Sequence, residues 1–185
     1  MEIASVKGYK IAVLASNESP YIKDYFERNK DYLANSMPDF NLEYLKESYW
    51  RKRLPKDYID FVNGQSLCLF AFSANDNKVI ATINFTQIQR GVFQGCFLGY
   101  SIDKDYQNKG LMTVFLQESI NFVFESLNLH KVLANYMPTN LGSARVLEKL
   151  GFQIVGLAKQ ELFVNKKWED FVETRLINDN WVNKF

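Results

Sequence analysis

The hydrophobic positions change period along the chain. In the first third Tyr21, Ile22, Tyr25, Phe26, Tyr32 and Leu33 recur at helical spacing, after a turn and helix start at Asn17, Glu18, Ser19 and Pro20. A second helical pattern opens near Asn41 and runs through Leu42, Leu45 and Tyr49. Pro55 is expected to interrupt it, leaving "KDYIDFVN" as a further piece. Ahead of both, "YKIAVL" reads as an edge strand after a ragged start.

From Ser66 the period shortens. "SLCLFAFS" is a continuous apolar run, "NDNK" is turn chemistry, "KVIATINFTQIQ" alternates in steps of two, and a turn at "RG" leads into "VFQGCFLGYSI". Consecutive strands joined by short turns predict an antiparallel meander. Met112, Leu116, Ile120, Val123 and Leu127 then line one side of a helix, with Leu111, Phe115 and Phe122 beside them. Gln117, Glu118, Asn121 and Glu125 form its narrow polar face, as in a helix largely buried against a sheet. "HKVLANYM" follows as a strand, and its connection through a helix predicts that it lies parallel to the strand before, with a right-handed crossover. "NLGSARVLEKLGF" reads as a short helix stopped by Gly151. "FQIVGLAKQELFV", a turn at Asn165 and Lys166, and "WEDFVETRLI" complete a hairpin. The predicted class is α/β of the α+β kind: one domain over residues 1–185, with a mixed, mostly antiparallel sheet, one parallel strand pair, and flanking helices.

Composition narrows the chemistry. The 185 residues, 47% apolar and 23% charged, suit one globular domain with a sizeable core. Basic and acidic residues number 22 and 21, so no global field argues for nucleic acid or membrane binding, and no nucleic-acid motif is present. No apolar run reaches the length of a membrane span, and "MEIASVKGYK" lacks the basic-then-apolar order of a secretory signal; a cytoplasmic location is expected. Cys68 and Cys96 sit in apolar strands as small buried hydrophobes, far from any helix start that would lower a thiol pKa. With one histidine, His130, and no Cys or His cluster, no metal site is expected, and His130 has no evident serine, cysteine or acid partner.

Candidate chemistry gathers where the long helix begins. Gln107, Asn108, Lys109, Gly110, Leu111, Met112 and Thr113 form a strand, polar loop, glycine, helix sequence. A helix start leaves backbone N–H groups without partners and carries partial positive charge, so a glycine there either exposes an anion site or serves as a packing and turn residue. Neither the nucleoside triphosphate loop G-x-x-x-x-G-K-[ST] nor the dinucleotide loop G-x-G-x-x-G occurs. An anion bound here would be held by backbone amides, with Lys109 as an optional point charge.

The runs "LGYSIDKDYQNKGLM" and "ANYMPTNLGSARVLEKLGF" resemble the GCN5-related N-acetyltransferase (GNAT) superfamily, closest to its ribosomal-protein-alanine N-acetyltransferase branch, over about residues 24–176. The resemblance implies an acetyl-coenzyme A co-substrate whose pyrophosphate is held by a Gln-x-x-Gly-x-small loop, here Gln107, Gly110 and Met112. The last position departs from the usual glycine or alanine. It also implies a parallel pair splayed into a V that takes the pantetheine arm, with backbone near Tyr100, Ser101 and Ile102 binding the thioester carbonyl. Gly99 is consistent with a bulge at such a splay, or with a glycine facing a bulky neighbour. Asn140 matches a cofactor-contacting position and is also a good helix N-cap. Ser143 resembles a serine that protonates the departing thiolate, or is an ordinary first-turn serine; the tyrosine that many relatives use falls at Leu147. Glu161 is the candidate base, with Glu43, Glu47 and Tyr49 as possible lining of a peptide groove.

The implied reaction is direct attack of an amine on the thioester, and the implied partner is the N-terminus of a ribosomal protein, alanine or serine first, with association with the ribosome or its precursor. A small-molecule amine such as a polyamine or aminoglycoside, or a non-catalytic ribosome-assembly role on the same fold, are the alternatives.

Overall fold

The computed structural model describes residues 1–37, 40–164 and 166–183. Strands β1 (Glu2–Val6) and β2 (Tyr9–Ala12) are followed by helices α1 (Ser19–Arg28), α2 (Lys30–Ser36) and α3 (Glu47–Val62). The meander β3 (Leu67–Phe72), β4 (Val79–Gln89) and β5 (Gly95–Ile102) leads into α4 (Leu111–Glu125) and β6 (Lys131–Tyr136). Helix α5 (Leu141–Lys149) and the hairpin β7 (Gln153–Val164) and β8 (Lys167–Ile177) close the chain. Short 3₁₀ turns lie at Ser16–Glu18, Leu42–Leu45 and Lys104–Tyr106. The strands form one sheet in the order β1-β2-β3-β4-β5-β6-β8-β7. Among the described residues only β5 and β6 pair in parallel, joined through α4; the other neighbours are antiparallel.

Alternation along the central strands feeds two cores. Leu67, Leu69 and Ala71 of β3 pack with Ile83 and Phe85 of β4 and with Phe115, Leu116, Ile120 and Val123 of α4. Cys68, Phe70 and Phe72 face the other way, against Ile22, Tyr25 and Phe26 of α1 and Trp50 and Leu54 of α3. A strand buried on both faces reads as a continuous apolar run, which is why "LCLFAF" showed no period. Each fully buried side chain of this size contributes about 1.5–3 kcal/mol.

The helical third departs from the sequence reading. One helix from Tyr21 to Leu33 is two, broken at Asn29 (φ −108°, ψ 9°). The buried Asn29 amide donates to the Tyr25 carbonyl at 2.9 Å and to Asp103 Oδ2 at 3.0 Å, and accepts from the Lys104 N–H at 2.9 Å. Tertiary hydrogen bonds therefore fix the break, and no local pattern announces it. Pro55, in contrast, does not interrupt α3. It lies on the exposed side, while buried Trp50, Leu54 and Asp57 hold the helix to the sheet. The expected edge strand is not at the edge, because residues 2–6 pair outside it through a turn with positive φ at Lys7 (51°) and Gly8 (83°). Gly151 (φ 84°) ends α5 as expected. Of the expected turn at Asn165 and Lys166, Asn165 lies outside the described residues, and Lys166 has φ 67°. No helix among the described residues is long and apolar enough to cross a membrane.

Candidate active site

The parallel pair is closed at one end only. Its register runs Gly95↔Lys131, Cys96↔Val132, Phe97↔Leu133 and stops. Beyond that β5 stays on β4 as far as Ile102↔Ala81, and β6 stays on β8 as far as Tyr136↔Val172. Residues 98–102 and 134–136 thus turn unpaired main chain toward each other, and polar backbone left unpaired inside a sheet calls for a partner. A cleft of about 1450 Å³ opens over this seam. An extended, amide-containing chain fits such edges as an added strand would.

Helix α4 begins at one rim of the cleft. Its N-cap, Gly110, is left-handed (φ 72°, ψ 0°) and provides no side-chain cap, and a Cβ built there would meet nothing within 4 Å. Asn108 is left-handed as well (φ 57°). The loop therefore passes under the helix start without covering its amides. Gln107, Asn108, Gly110, Leu111, Met112 and Thr113 all line the cleft. The Met112 side chain is buried in the core with only 6% exposure, so the bulk that departs from the family pattern points away from the amides. Lys109 is not among the lining residues: its Nζ donates to the Asp105 carbonyl at 2.8 Å and lies 5.1 Å from the centre of the Tyr106 ring. Arg145 and Lys149 of α5, which sequence reasoning missed, bring positive charge to the cleft instead. Gly142, Arg145, Val146 and Lys149 follow i, i+3, i+4, i+7 spacing, a signal that α5 turns one face to the cleft. Free amides, an open αL glycine and nearby cations suit a pyrophosphate.

The end of β5 is anchored to α1. Asp103 accepts from the Arg28 guanidinium, from Asn29, and from the Asp105 N–H at 2.9 Å. Burial alone would raise the Asp103 pKa; these bonds from Asn29, the Asp105 amide and Arg28 bring it below the ordinary carboxylate range. Ser101 Oγ lies 2.9 Å from Tyr25 Oη and 2.8 Å from Thr82 Oγ1, so its side chain faces α1 and only its backbone is available to the seam. Gly99 is neither a bulge nor packed against a bulky group: it sits in regular register opposite Asn84, with open space where a Cβ would be. The bulge lies farther along, between Thr86 and Gln89, where Gln87 has φ 51°.

On the other rim, Asn140 caps α5 by accepting the Ser143 N–H at 3.0 Å. That cap fixes the first turn and aims Ser143 at Tyr100, whose Oη is 2.6 Å from Ser143 Oγ. Both residues line the cleft. Burial is the main cause that pushes the Tyr100 phenol up to about 12, against the opposing bond from Ser143, so it stays protonated. Tyr100 was expected to act through its backbone; its hydroxyl next to Ser143 is a feature that only the crossing of β5 and α5 creates. Glu161 lines the cleft from β7, exposed, with Leu162 and Phe163 beside it.

Glu43, Glu47 and Tyr49 are not among the lining residues. Glu43 pairs with Lys46 at 2.5 Å, Glu47 with Arg51 at 2.6 Å, and Tyr49 packs against Tyr44 and Trp50. Tyr32 and Met37 occupy that side of the cleft. Cys68 and Cys96 are buried free thiols, both pushed up to about 12 by desolvation, and His130 packs edge-on against Trp181. Among the described residues no group of three or more His, Cys, Asp or Glu is placed to hold a metal ion.

Comparison with known proteins agrees with this geometry. The family model for the acetyltransferase (GNAT) domain matches residues 24–153. The [ribosomal protein uS5]-alanine N-acetyltransferase of Escherichia coli K12 is 32% identical over 160 residues, covering 86% of this chain and 82% of that protein. A probable N-acetyltransferase of Bacillus subtilis, YjcK, is 33% identical over 156 residues, 84% and 82% of the two chains. The crystal structure of a ribosomal-protein-S5-alanine acetyltransferase from Vibrio fischeri superposes with a TM-score of 0.95 at 32% identity, over 99% of this chain and all of that one. With the seam, the uncapped helix start and these matches together, the chain belongs to the GNAT family of acetyltransferases.

Proposed function

We propose that the chain is an acetyl-coenzyme A dependent N-α-acetyltransferase that acetylates the N-terminal residue, alanine first, of a ribosomal protein in the cytoplasm. The observation that carries the chemistry is the Tyr100–Ser143 hydroxyl pair at 2.6 Å on the rim of the unpaired seam. The preference for a ribosomal N-terminal alanine rests on likeness to the uS5-alanine enzymes along most of both chains.

Acetyl-coenzyme A, the acyl donor of this family, supplies an activated thioester. Gln107, Asn108 and Gly110 to Thr113 would hold its pyrophosphate on the α4 amides, with Asn140 at the neighbouring rim. Main-chain N–H groups of Tyr100, Ser101 and Ile102 that face the seam receive the developing oxyanion, the contribution that usually dominates acyl transfer. Tyr100, the stronger acid of the two hydroxyls and far from ionising, donates to Ser143 Oγ. Ser143 gives its proton to the departing thiolate, and the proton that Glu161 takes from the amine is returned to Ser143 through solvent. An α-amino group titrates near 7.7–8.0, whereas neutralising a lysine near 10.4 costs about 4–5 kcal/mol at neutral pH. Glu161 on the rim, directly or through water, needs only to take the proton released on attack.

The test is transfer from acetyl-coenzyme A to a panel of N-terminal hexapeptides beginning with Ala, Ser, Gly and Met, run beside spermidine and an aminoglycoside. Transfer to the Ala peptide with the highest kcat/KM supports the reading. Exclusive transfer to the small amines, or none to any acceptor while coenzyme A still binds, overturns it.

A further inference from the structure

Asn84 is a polar side chain at the cleft that cofactor binding and proton transfer leave unexplained. It lies in β4, an interior strand whose residues 79–83 and 85 are buried. Its register neighbours are Cys68 on β3 and Gly99 on β5. It is half-buried, lines the cleft, and has no hydrogen-bond partner among the described residues, whereas Thr82, two positions back on the same face, is satisfied by Ser101. Half-buried and open to the cleft, the Asn84 carboxamide keeps its donors and acceptor available to a ligand.

Gly99 compounds the point. Its φ is not positive, it lies in regular register, and space is open where its Cβ would be. Neither turn geometry nor close packing requires glycine there, and glycine weakens a strand. What it supplies is a gap in the surface next to the Asn84 amide, bordered by Phe97, Thr86 and, across the cleft, Tyr32 and Met37.

The two faces of the sheet divide the work. Tyr100 packs with the α4 core and meets Ser143 of α5, whereas Asn84 and Gly99 share the face of Thr82 and Ser101, which is bonded to Tyr25 of α1. A carbonyl held in the seam is therefore reached by the proton donors from one face and by an incoming amine from the other.

We infer that Asn84 and the gap at Gly99 form the seat of the substrate's first residue: the carboxamide pairs with the main-chain amide that follows the attacking amine, and the space over Gly99 takes a small first side chain. A carboxamide offers one acceptor and two donors in a plane, which matches a peptide unit. This specificity site rests on the N-terminal acetyltransferase reading above.

The experiment compares the full-length wild type with Asn84→Ala, Asn84→Asp and Gly99→Ala, using Ala- and Gly-starting hexapeptides and spermidine as acceptors, with coenzyme A affinity and thermal midpoint measured alongside. Both Asn84 variants are expected to raise the KM for the Ala peptide about tenfold with kcat within about twofold, the mark of lost ground-state binding. Gly99→Ala is expected to raise the KM for the Ala peptide more than for the Gly peptide. Coenzyme A affinity and thermal midpoint should stay level, and any spermidine KM should not move. An active wild type whose peptide KM is unchanged in all three variants overturns this site and leaves the function standing. A loss of coenzyme A affinity matching the loss for peptide also overturns it. A wild type inactive on every peptide removes both.

Discussion

Two helices start at the same cleft, and they start differently. Helix α5 is capped by the Asn140 side chain, which accepts the Ser143 amide. Helix α4 starts on a left-handed glycine with no side chain over its amides. The capped start presents a side chain, Ser143, held toward Tyr100, the pair proposed to carry the proton transfer. The uncapped start presents backbone, the surface proposed for an anion that would bring the missing acceptors with it. Under the proposed function, a helix end that is poor by the rules of stability serves ligand binding, and a good one positions a useful group farther along the helix.

The comparison breaks most sharply at Gly110. A carboxylate placed there, Gly110→Asp, sets a fixed negative charge beside the α4 amides and is expected to lower kcat/KM for acetyl-coenzyme A by about a hundredfold or more. A variant of near wild-type kcat/KM would make Gly110 a turn residue only. Next come the hydroxyls: Ser143→Ala should lower kcat roughly a hundredfold and Tyr100→Phe roughly tenfold, with little change in the KM for acetyl-coenzyme A. Because the two act as a pair, the double variant should lose much less than the product of the single losses. The pH profile sharpens the same point. The raised Tyr100 pKa of about 12 keeps its proton in place, so kcat/KM should rise through the amine's titration near 7.7–8.0 and hold level to about pH 10. A descending limb between pH 8 and 10 would mean that the acid is another group. The smallest effect falls on the capped start, where Asn140→Ala should cost about 1 kcal/mol of stability by chemical denaturation, with a change of a few tenths marking the cap as idle.

Much of this was legible in sequence where the signal is local. The meander, the parallel crossover through α4, the Gly151 stop and the strand-loop-glycine-helix order all follow from period and turn chemistry. Gln107, Asn108, Gly110, Leu111, Met112, Thr113, Asn140, Ser143 and Glu161 come together around one cleft. What was not legible depends on contacts between distant segments. The break at Asn29 is made by Asp103 and Lys104, the Tyr100 hydroxyl finds Ser143 only because β5 and α5 meet, and Lys109 turns back to the Asp105 carbonyl. Glu43 and Glu47 have the charge for a peptide groove, but i,i+3 and i,i+4 partners occupy them.

The most direct test of the central claim, that the uncapped α4 start holds the pyrophosphate, is calorimetric titration of wild type and Gly110→Asp with coenzyme A and, in parallel, with pantetheine, which lacks the pyrophosphate. Gly110→Asp is expected to weaken coenzyme A by about a hundredfold or more and to leave the weaker pantetheine affinity where it was. Equal coenzyme A affinity in the two proteins, or equal losses for both ligands, would contradict it.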